Sequence, residues 1–257
     1  MLNQPETTAD RPVALVTGAS YGIGAACALA LARDGFDIAA TEIKADALNE
    51  LAAAVEAEGA RFLGLSLDLR IDEAPSHTVA EANRHYGRID VLINNAGVPL
   101  TKSVLEVSEK EFLEVMRINV AGSYFMAQQV ARYLIGVGRP GSIVNLASTF
   151  TAIGVPNISV YGISKAAIGG MTRHLAVEWA EHGIRVNAVG PGAVETKIRK
   201  QAFAATPEFR EAYKNKVPMK RFGAAEEVAE AACYLAGERS SYVTGQVIYV
   251  DGGLTAS

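Results

Sequence analysis

Seven short apolar runs, separated by stretches of helical periodicity, constrain this chain more than any other feature. VALVTG (Val13–Gly18), FDIAATE, RFLGLSLDL, IDVLINNAG, GSIVNLAS, IRVNAVGPG and QVIYVDGG are each too short for a long helix, rich in Val, Ile and Leu, and broken by Gly, Asn, Asp or Ser. A strand with one wet face alternates apolar and polar residues. These runs are apolar on both faces, the pattern of a parallel sheet covered by helices on both sides. The intervening stretches supply the helices. AACALALARDG stops at Gly35, ADALNELAAAVEAEG is amphipathic, and a third helix covers roughly 72–86. Ser108 to about Val137 is helical with a break near Gly122, Ile158 to His182 is one long helix, and AAEEVAEAACYLAG precedes the last strand. The alternation predicts the α/β class: a doubly wound, Rossmann-type parallel sheet of about seven strands with helices on both faces. No shift in composition divides the 257 residues, so the expectation is a polar, flexible arm over 1–11 and a single domain over 12–257.

Composition removes several classes of function. A formal net charge of −4 with no block of like charge argues against nucleic acid or an anionic membrane surface as the main partner. The N-terminal MLNQPETTADRP has no apolar core, and no run reaches the ~18 apolar residues of a membrane span. Cys27 and Cys233 sit in apolar helical patterns and read as small buried hydrophobes in a reducing, cytoplasmic compartment. The four histidines form no ligand-spaced cluster, so no metal is expected.

Thr17-Gly18-Ala19-Ser20-Tyr21-Gly22-Ile23-Gly24 joins the first strand to the first helix. Glycines there permit a tight turn and let a pyrophosphate approach backbone amides at a helix N-terminus, where the helix dipole favours negative charge. The spacing, G-x-x-x-G-x-G, only approximates the dinucleotide fingerprint G-x-G-x-x-G, and a plain glycine-rich turn would show the same letters. Glu42 ends the second strand, near where an acid accepts the adenosine ribose hydroxyls and repels a 2′-phosphate. Tyr21 and Ile43 offer that phosphate no positive charge, and Lys44, two residues past the acid, faces solvent. NAD is therefore expected over NADP.

Between Ser148 and Lys165 the chain reads STFTAIGVPNISVYGISK. Tyr161 and Lys165 stand at i and i+4, neighbours on one helix face. An ammonium beside a phenol favours the phenolate and brings the tyrosine towards proton exchange near neutral pH. A serine hydroxyl can hold an oxygen that changes between alcohol and carbonyl. Tyr-x-x-x-Lys alone is weak, since solvated Tyr/Lys pairs are common on helices.

Taken together these stretches resemble the short-chain dehydrogenase/reductase family, in its plain branch of ~250 residues, over about Pro12 to Gly253. Thr17–Gly24 resembles its TGxxxGIG loop, and Asn94-Asn95-Ala96-Gly97 its NNAG turn. Asn119, Ser148, Tyr161 and Lys165 match its catalytic tetrad, and Pro191-Gly192 with Thr196 its segment over the nicotinamide. Arg221-Phe222-Gly223 and VTGQVIYVDGG complete the likeness. The resemblance implies that Tyr161 exchanges a proton with the substrate oxygen while hydride moves between carbon and nicotinamide. It implies that Lys165 bonds the nicotinamide ribose and lowers the Tyr161 pKa, that Ser148 orients the substrate oxygen, and that Asn119 holds a water linking Lys165 to solvent. Asp68 would meet the adenine amino group, with Leu69 beside it. Gly18, Ser20, Tyr21, Gly22, Ile23 and Gly24 would cradle the pyrophosphate side. Asn95, Ala96 and Gly97 would line the adenosine side, and Val194 with Thr196 would meet the carboxamide. Plainer readings stay open: Ser148 as a strand-end cap, Asn119 serving a helix break, Asp68 as a turn acid.

The substrate pocket is expected at the carboxyl ends of the strands, from Val98, Pro99, Thr149, Phe150, Pro156 to Ser159 and Ala193, under a lid over 195–216. That lid carries Lys197, Arg199, Lys200, Arg210, Lys214 and Lys216 against Glu195, Glu208 and Glu211, an excess of positive charge that suits an anionic substrate or merely a solvated helix. The expected function is NAD-dependent oxidation of a secondary alcohol on a small polyol, sugar or sugar acid. The alternatives are a 3-oxoacyl-thioester reductase and, from another class, a non-catalytic NAD-binding sensor or scaffold. The family likeness further implies a homotetramer, with Phe125, Met126, Met171 and Trp179 available either to its interface or to the core.

Overall fold

A computed structural model describes residues 11–195 and 207–257. Its centre is one seven-stranded, wholly parallel sheet in the order β3-β2-β1-β4-β5-β6-β7. The strands are β1 (Val13–Thr17), β2 (Asp37–Glu42), β3 (Phe62–Ser66), β4 (Val91–Asn94), β5 (Gly141–Leu146), β6 (Ile184–Pro191) and β7 (Val247–Val250). The helices are α1 (Gly22–Arg33), α2 (Asn49–Ala57), α3 (Ala74–Tyr86), α4 (Glu109–Met116), α5 (Ser123–Gly136), α6 (Ser159–Trp179), α7 (Pro207–Lys216) and α8 (Ala225–Ala236). The chain leaves β1 in one direction to build β2 and β3, then returns to lay β4 on the other side of β1. That reversal opens a crevice at the carboxyl ends of β1 and β4, the place where doubly wound sheets bind ligands.

Alternation along each strand sorts the core into two layers. Ala14 and Val16 of β1, Ile38 and Ala40 of β2, and Ile93 of β4 pack with Cys27 and Leu31 of α1, Val55 of α2 and Val228 of α8. Leu15, Ala39, Leu92 and Ile143 point the opposite way, against Val79 of α3, Val130 and Leu134 of α5, and Leu175 of α6. Each fully buried aliphatic side chain contributes roughly 1.5–3 kcal/mol. The demand for apolar residues on both faces is why the strands read as unbroken runs. Cys27 and Cys233 are both buried and unbridged. Burial pushes the Cys27 thiol up to about 12.

Two expectations need correction. Arg11, assigned to a flexible arm, is tied down: Nε donates to Gly35 O (3.0 Å), and Nη1 and Nη2 donate to Gly59 O (2.9 Å) and Ala32 O (3.0 Å). A cation there satisfies carbonyls left over at the end of α1. Residues 1–10 lie outside the described residues. The break expected near Gly122 is no break. Arg117–Gly122 form a π-helical turn that joins α4 directly to α5 with no intervening loop. Such turns insert one extra residue per turn and concentrate at functional sites. Gly122 is required by a close approach, since a Cβ there would lie 2.8 Å from Leu69 Cδ1.

Candidate active site

At the end of β1 the chain turns through Gly18, whose φ of +64° belongs to the left-handed region that glycine tolerates best. A side chain on Gly18 would also strike Ala96 Cα at 2.9 Å, and one on Gly24 would come within 2.3 Å of Gly18 O. The loop therefore closes on the first turn of α1 and against the end of β4. Asn95 locks it: its side-chain amide donates to Thr17 O (3.0 Å) and Gly18 O (2.7 Å), while Thr17 Oγ1 accepts from the backbone N–H groups of Asn95 and Ala96 (3.0 Å each). Both amide hydrogens of Asn95 are thus spent on the loop, and what it can offer a ligand is its carbonyl oxygen.

Beside this loop lies a cavity of about 420 Å³, of the size that holds part of a small-molecule ligand. Gly18, Tyr21, Gly22, Ile23, Glu42, Asp68, Leu69, Asn95, Ala96 and Gly97, all expected at a cofactor, line it; Thr41, Ile43, Arg70, Glu114 and Ile118 also do. Glu42 Oε2 accepts from Ser20 Oγ (2.5 Å) and Oε1 from its neighbour's N–H, Ile43 N (2.9 Å). Ser20 thus acts on the cavity through Glu42. Asp68 is held by Arg70, which the sequence reading passed over. That guanidinium keeps the Asp68 carboxyl below its usual range. Backbone amides converging on a glycine turn at a helix N-terminus, next to a fixed carboxylate, suit the pyrophosphate and ribose of a nicotinamide dinucleotide.

A second group of residues converges two strands away. Lys165 and Tyr161 lie one turn apart on α6, with Lys165 Nζ 5.7 Å from the centre of the Tyr161 ring. Lys165 is buried and donates to Leu146 O at the end of β5 (2.5 Å). Burial in this apolar surround pulls its pKa from 10.5 down to about 8. Ser148 follows β5; its Oγ accepts from Phe150 N (3.2 Å), which leaves the hydroxyl hydrogen to be donated elsewhere. Phe150 meets Tyr161 edge to face, ring centres 6.1 Å apart.

Asn119 stands on the π-helical turn. Its amide donates to Val98 O and to Ser164 Oγ (3.0 Å each), and its carbonyl accepts from Val98 N (2.8 Å). Ser164 in turn donates to Tyr161 O (2.7 Å). With both amide hydrogens committed, any water held by Asn119 must donate to one of its oxygens. A Cβ on Gly97 would sit 3.1 Å from Asn119 Oδ1 and 3.9 Å from Lys165 Nζ, so the NNAG turn links the two groups.

Other expected residues lie at the end of β6. A Cβ on Gly192 would meet Asp251 Cα at 2.8 Å, and Val194 pairs with Gly223 in an isolated bridge. Thr196 and residues 197–206 of the expected lid lie outside the described residues. The idea of an anion lure weakens where it is visible. Arg210 pairs with Glu195 (2.6 Å) and Lys214 with Glu211 (2.8 Å), so these two cations already have carboxylates. Thr149, expected in the substrate pocket, is buried instead. It starts a tight turn behind Ser148. No group of three or more metal-ligating side chains occurs among the described residues, and no helix there is long and apolar enough to cross a membrane.

Along most of its length the chain is similar to known proteins. A family model described as Enoyl-(Acyl carrier protein) reductase matches residues 18–255. Gluconate 5-dehydrogenase of Gluconobacter oxydans is 37% identical over 244 residues, spanning 95% of this chain and 94% of that one. The 3-oxoacyl-(acyl-carrier-protein) reductase FabG of Thermotoga maritima is 39% identical over 243 residues, spanning 94% and 97%. A crystal structure from Agrobacterium tumefaciens, proposed to be a 2-deoxy-D-gluconate 3-dehydrogenase and holding NADP, superposes with a TM-score of 0.89 at 33% identity, covering 96% of this chain and 97% of that one.

Proposed function

The chain belongs to the short-chain dehydrogenase/reductase family and is an oxidoreductase of CH–OH groups; within that family we propose that it is an NAD-dependent dehydrogenase of a small polyol, sugar or sugar acid. The observation that carries the chemistry is the placement of Tyr161 beside buried Lys165 in the first turn of α6. Two effects act on the phenol there. The ammonium attracts a phenolate through a low-dielectric surround, and the positive end of the helix dipole adds to it. Tyr161 takes the hydroxyl proton of the alcohol during oxidation and returns it during reduction. Ser148, its lone pair occupied by Phe150 N–H, donates its hydrogen to the same substrate oxygen and holds it as charge develops. Lys165 supports the phenolate and passes the proton on towards Asn119 and solvent. When bound, the nicotinamide ring supplies or accepts the hydride.

Gly18, Tyr21, Gly22 and Ile23 would hold the pyrophosphate side, with Gly24 as the close contact that shapes the loop. Glu42 would take the adenosine ribose. Asp68, Leu69, Ala96 and Gly97 would enclose the base. Pro191, Gly192, Val194 and Thr196 would lie over the nicotinamide. NAD is preferred because Glu42, steadied by Ser20, meets any 2′-phosphate with a negative charge, and the one cation lining the cavity among the described residues, Arg70, is engaged by Asp68. The sugar-acid reading draws on the gluconate dehydrogenase relative. The acyl-thioester reductase relative and the NADP-bound structure favour a second reading, NADPH-dependent reduction of a 3-oxoacyl thioester. A homotetramer in the cytoplasm completes the proposal. Met126 and Trp179 are core, so the surface for self-association is the apolar group of Leu105, Leu113, Tyr124 and Phe125 around α4 and α5.

The test is a panel of polyols, sugars, sugar acids and hydroxyacyl thioesters, with NAD and NADP in parallel, followed by the absorbance of the reduced nicotinamide. Turnover of a polyol or sugar acid with NAD supports the proposal. Turnover confined to acyl thioesters with NADP would leave the chemistry standing and reverse both specificities.

A further inference from the structure

Arg70 lines the same cavity as Glu42 and Asp68, and no contact with a ligand has yet been given to it. Its backbone N–H donates to Asp68 Oδ1 (3.0 Å), its Nε to Oδ1 (2.9 Å) and its Nη2 to Oδ2 (2.7 Å). Three donors on two oxygens fix the plane of a carboxylate that would otherwise turn freely on its loop. The guanidinium is about half exposed, at 52%. An exposed pair of this kind adds little to stability, so its effect is to be sought in the cavity. Glu114 of α4 lines that cavity too and attracts the same guanidinium, which helps keep Arg70 at the rim.

Two chemical consequences follow for a purine placed there. Oδ1 already takes two donors, whereas Oδ2 takes Nη2 and only the longer arm of the Nε bond it shares with Oδ1 (3.1 Å), so a further donor is accepted at Oδ2; the 6-amino group of adenine is such a donor where the 6-oxo group of hypoxanthine is not. The guanidinium is also a flat cation, suited to lie against an aromatic face in a way an ammonium is not. Ile43, apolar and 57% exposed, lines the same cavity and offers the base a second wall. We propose that Arg70 selects adenine: it holds the Asp68 carboxylate towards the 6-amino group and lays its own plane against the ring. This rests on the reading that the adenosine end of the cofactor occupies this cavity.

The experiment measures binding, by calorimetry on the full-length protein, of NAD and of its hypoxanthine counterpart. Wild type, Arg70→Met, Arg70→Lys and Asp68→Asn are compared, with thermal melting to confirm that each folds. Wild type should prefer NAD by about 10-fold, the worth of one good hydrogen bond. Arg70→Met should weaken NAD roughly 5- to 10-fold and bring the ratio of the two ligands near one. Arg70→Lys should behave like the Met variant, because an ammonium has neither fork nor plane. If Arg70→Met keeps both affinity and ratio while Asp68→Asn loses the ratio, the carboxylate reads the base unaided and the proposal falls. If Asp68→Asn also keeps the ratio, the base is not read in this cavity, and the adenosine assignment falls with the proposal.

Discussion

Lys165→Met separates the cost of burying this ammonium from its use. The side chain is buried, its one strong acceptor is Leu146 O, and its pKa falls from 10.5 to about 8 because burial penalises the charged form. The unfolded chain keeps this proton up to about pH 10.5, the folded chain only to about pH 8. Below pH 8 folding therefore carries the full penalty. Between the two values the unfolded state binds more protons, so stability rises with pH. The fall in pKa corresponds to roughly 3 kcal/mol, of which about 2 kcal/mol is relieved between about pH 7 and about pH 9.5. Methionine fills a similar volume and does not titrate; it forfeits about 1.5–3 kcal/mol for the charged hydrogen bond. Urea unfolding at one fixed protein concentration measures the difference, with both proteins carrying Tyr161→Phe so that the neighbouring phenol cancels. The Met variant should gain on its parent at about pH 7, and that advantage should shrink by about 2 kcal/mol at about pH 9.5. A difference flat in pH would mean that the buried ammonium carries no net penalty, and the electrostatic argument would fail.

Three other outcomes follow. Glu42→Ala should weaken NAD binding about 10-fold and raise the relative use of NADP, checked by kcat/KM for both cofactors; unchanged ratios would remove Glu42 from the ribose site. Gly24→Ala should destabilise by about 1–3 kcal/mol and weaken cofactor binding, because the new methyl meets Gly18 O and Asn95, both fixed by hydrogen bonds; melting temperature and calorimetry report it, and a neutral variant would show that the loop can give way. Cys27 and Cys233, buried with raised pKa values, should react with a thiol reagent only at the rate of unfolding; rapid labelling of the native protein would contradict the packing of α1 against α8.

The fold was legible because parallel strands covered on both faces must be apolar throughout, so VALVTG or GSIVNLAS has one comfortable environment. Tyr161 and Lys165 were legible for a similar reason, since helical periodicity alone brings i and i+4 together. The π-helical turn was not. A turn of i→i+5 bonds has no residue code, and Gly122 looked like a breaker when its task is to admit Leu69. Thr149 shows the limit of adjacency, because a tight turn after Ser148 sends neighbouring side chains in different directions. Arg70 could have been found: an arginine two residues past the aspartate that follows the third strand is a local pair that reading by family motif skips. Ser164, joining Asn119 to Tyr161, needed the fold, because 45 residues separate it from Asn119.

The central claim is that Tyr161, on α6, exchanges the substrate proton, while the glycine turn after β1 and Glu42 of β2 would hold the adenosine end of the cofactor apart from it. Tyr161→Phe tests it most directly, with turnover and NAD binding measured on the same preparation. The account predicts a loss of turnover of at least about 100-fold, the usual weight of a positioned acid/base, with the dissociation constant for NAD changed less than about 3-fold. A variant that still turns over at a comparable rate would contradict the assignment of the proton to Tyr161.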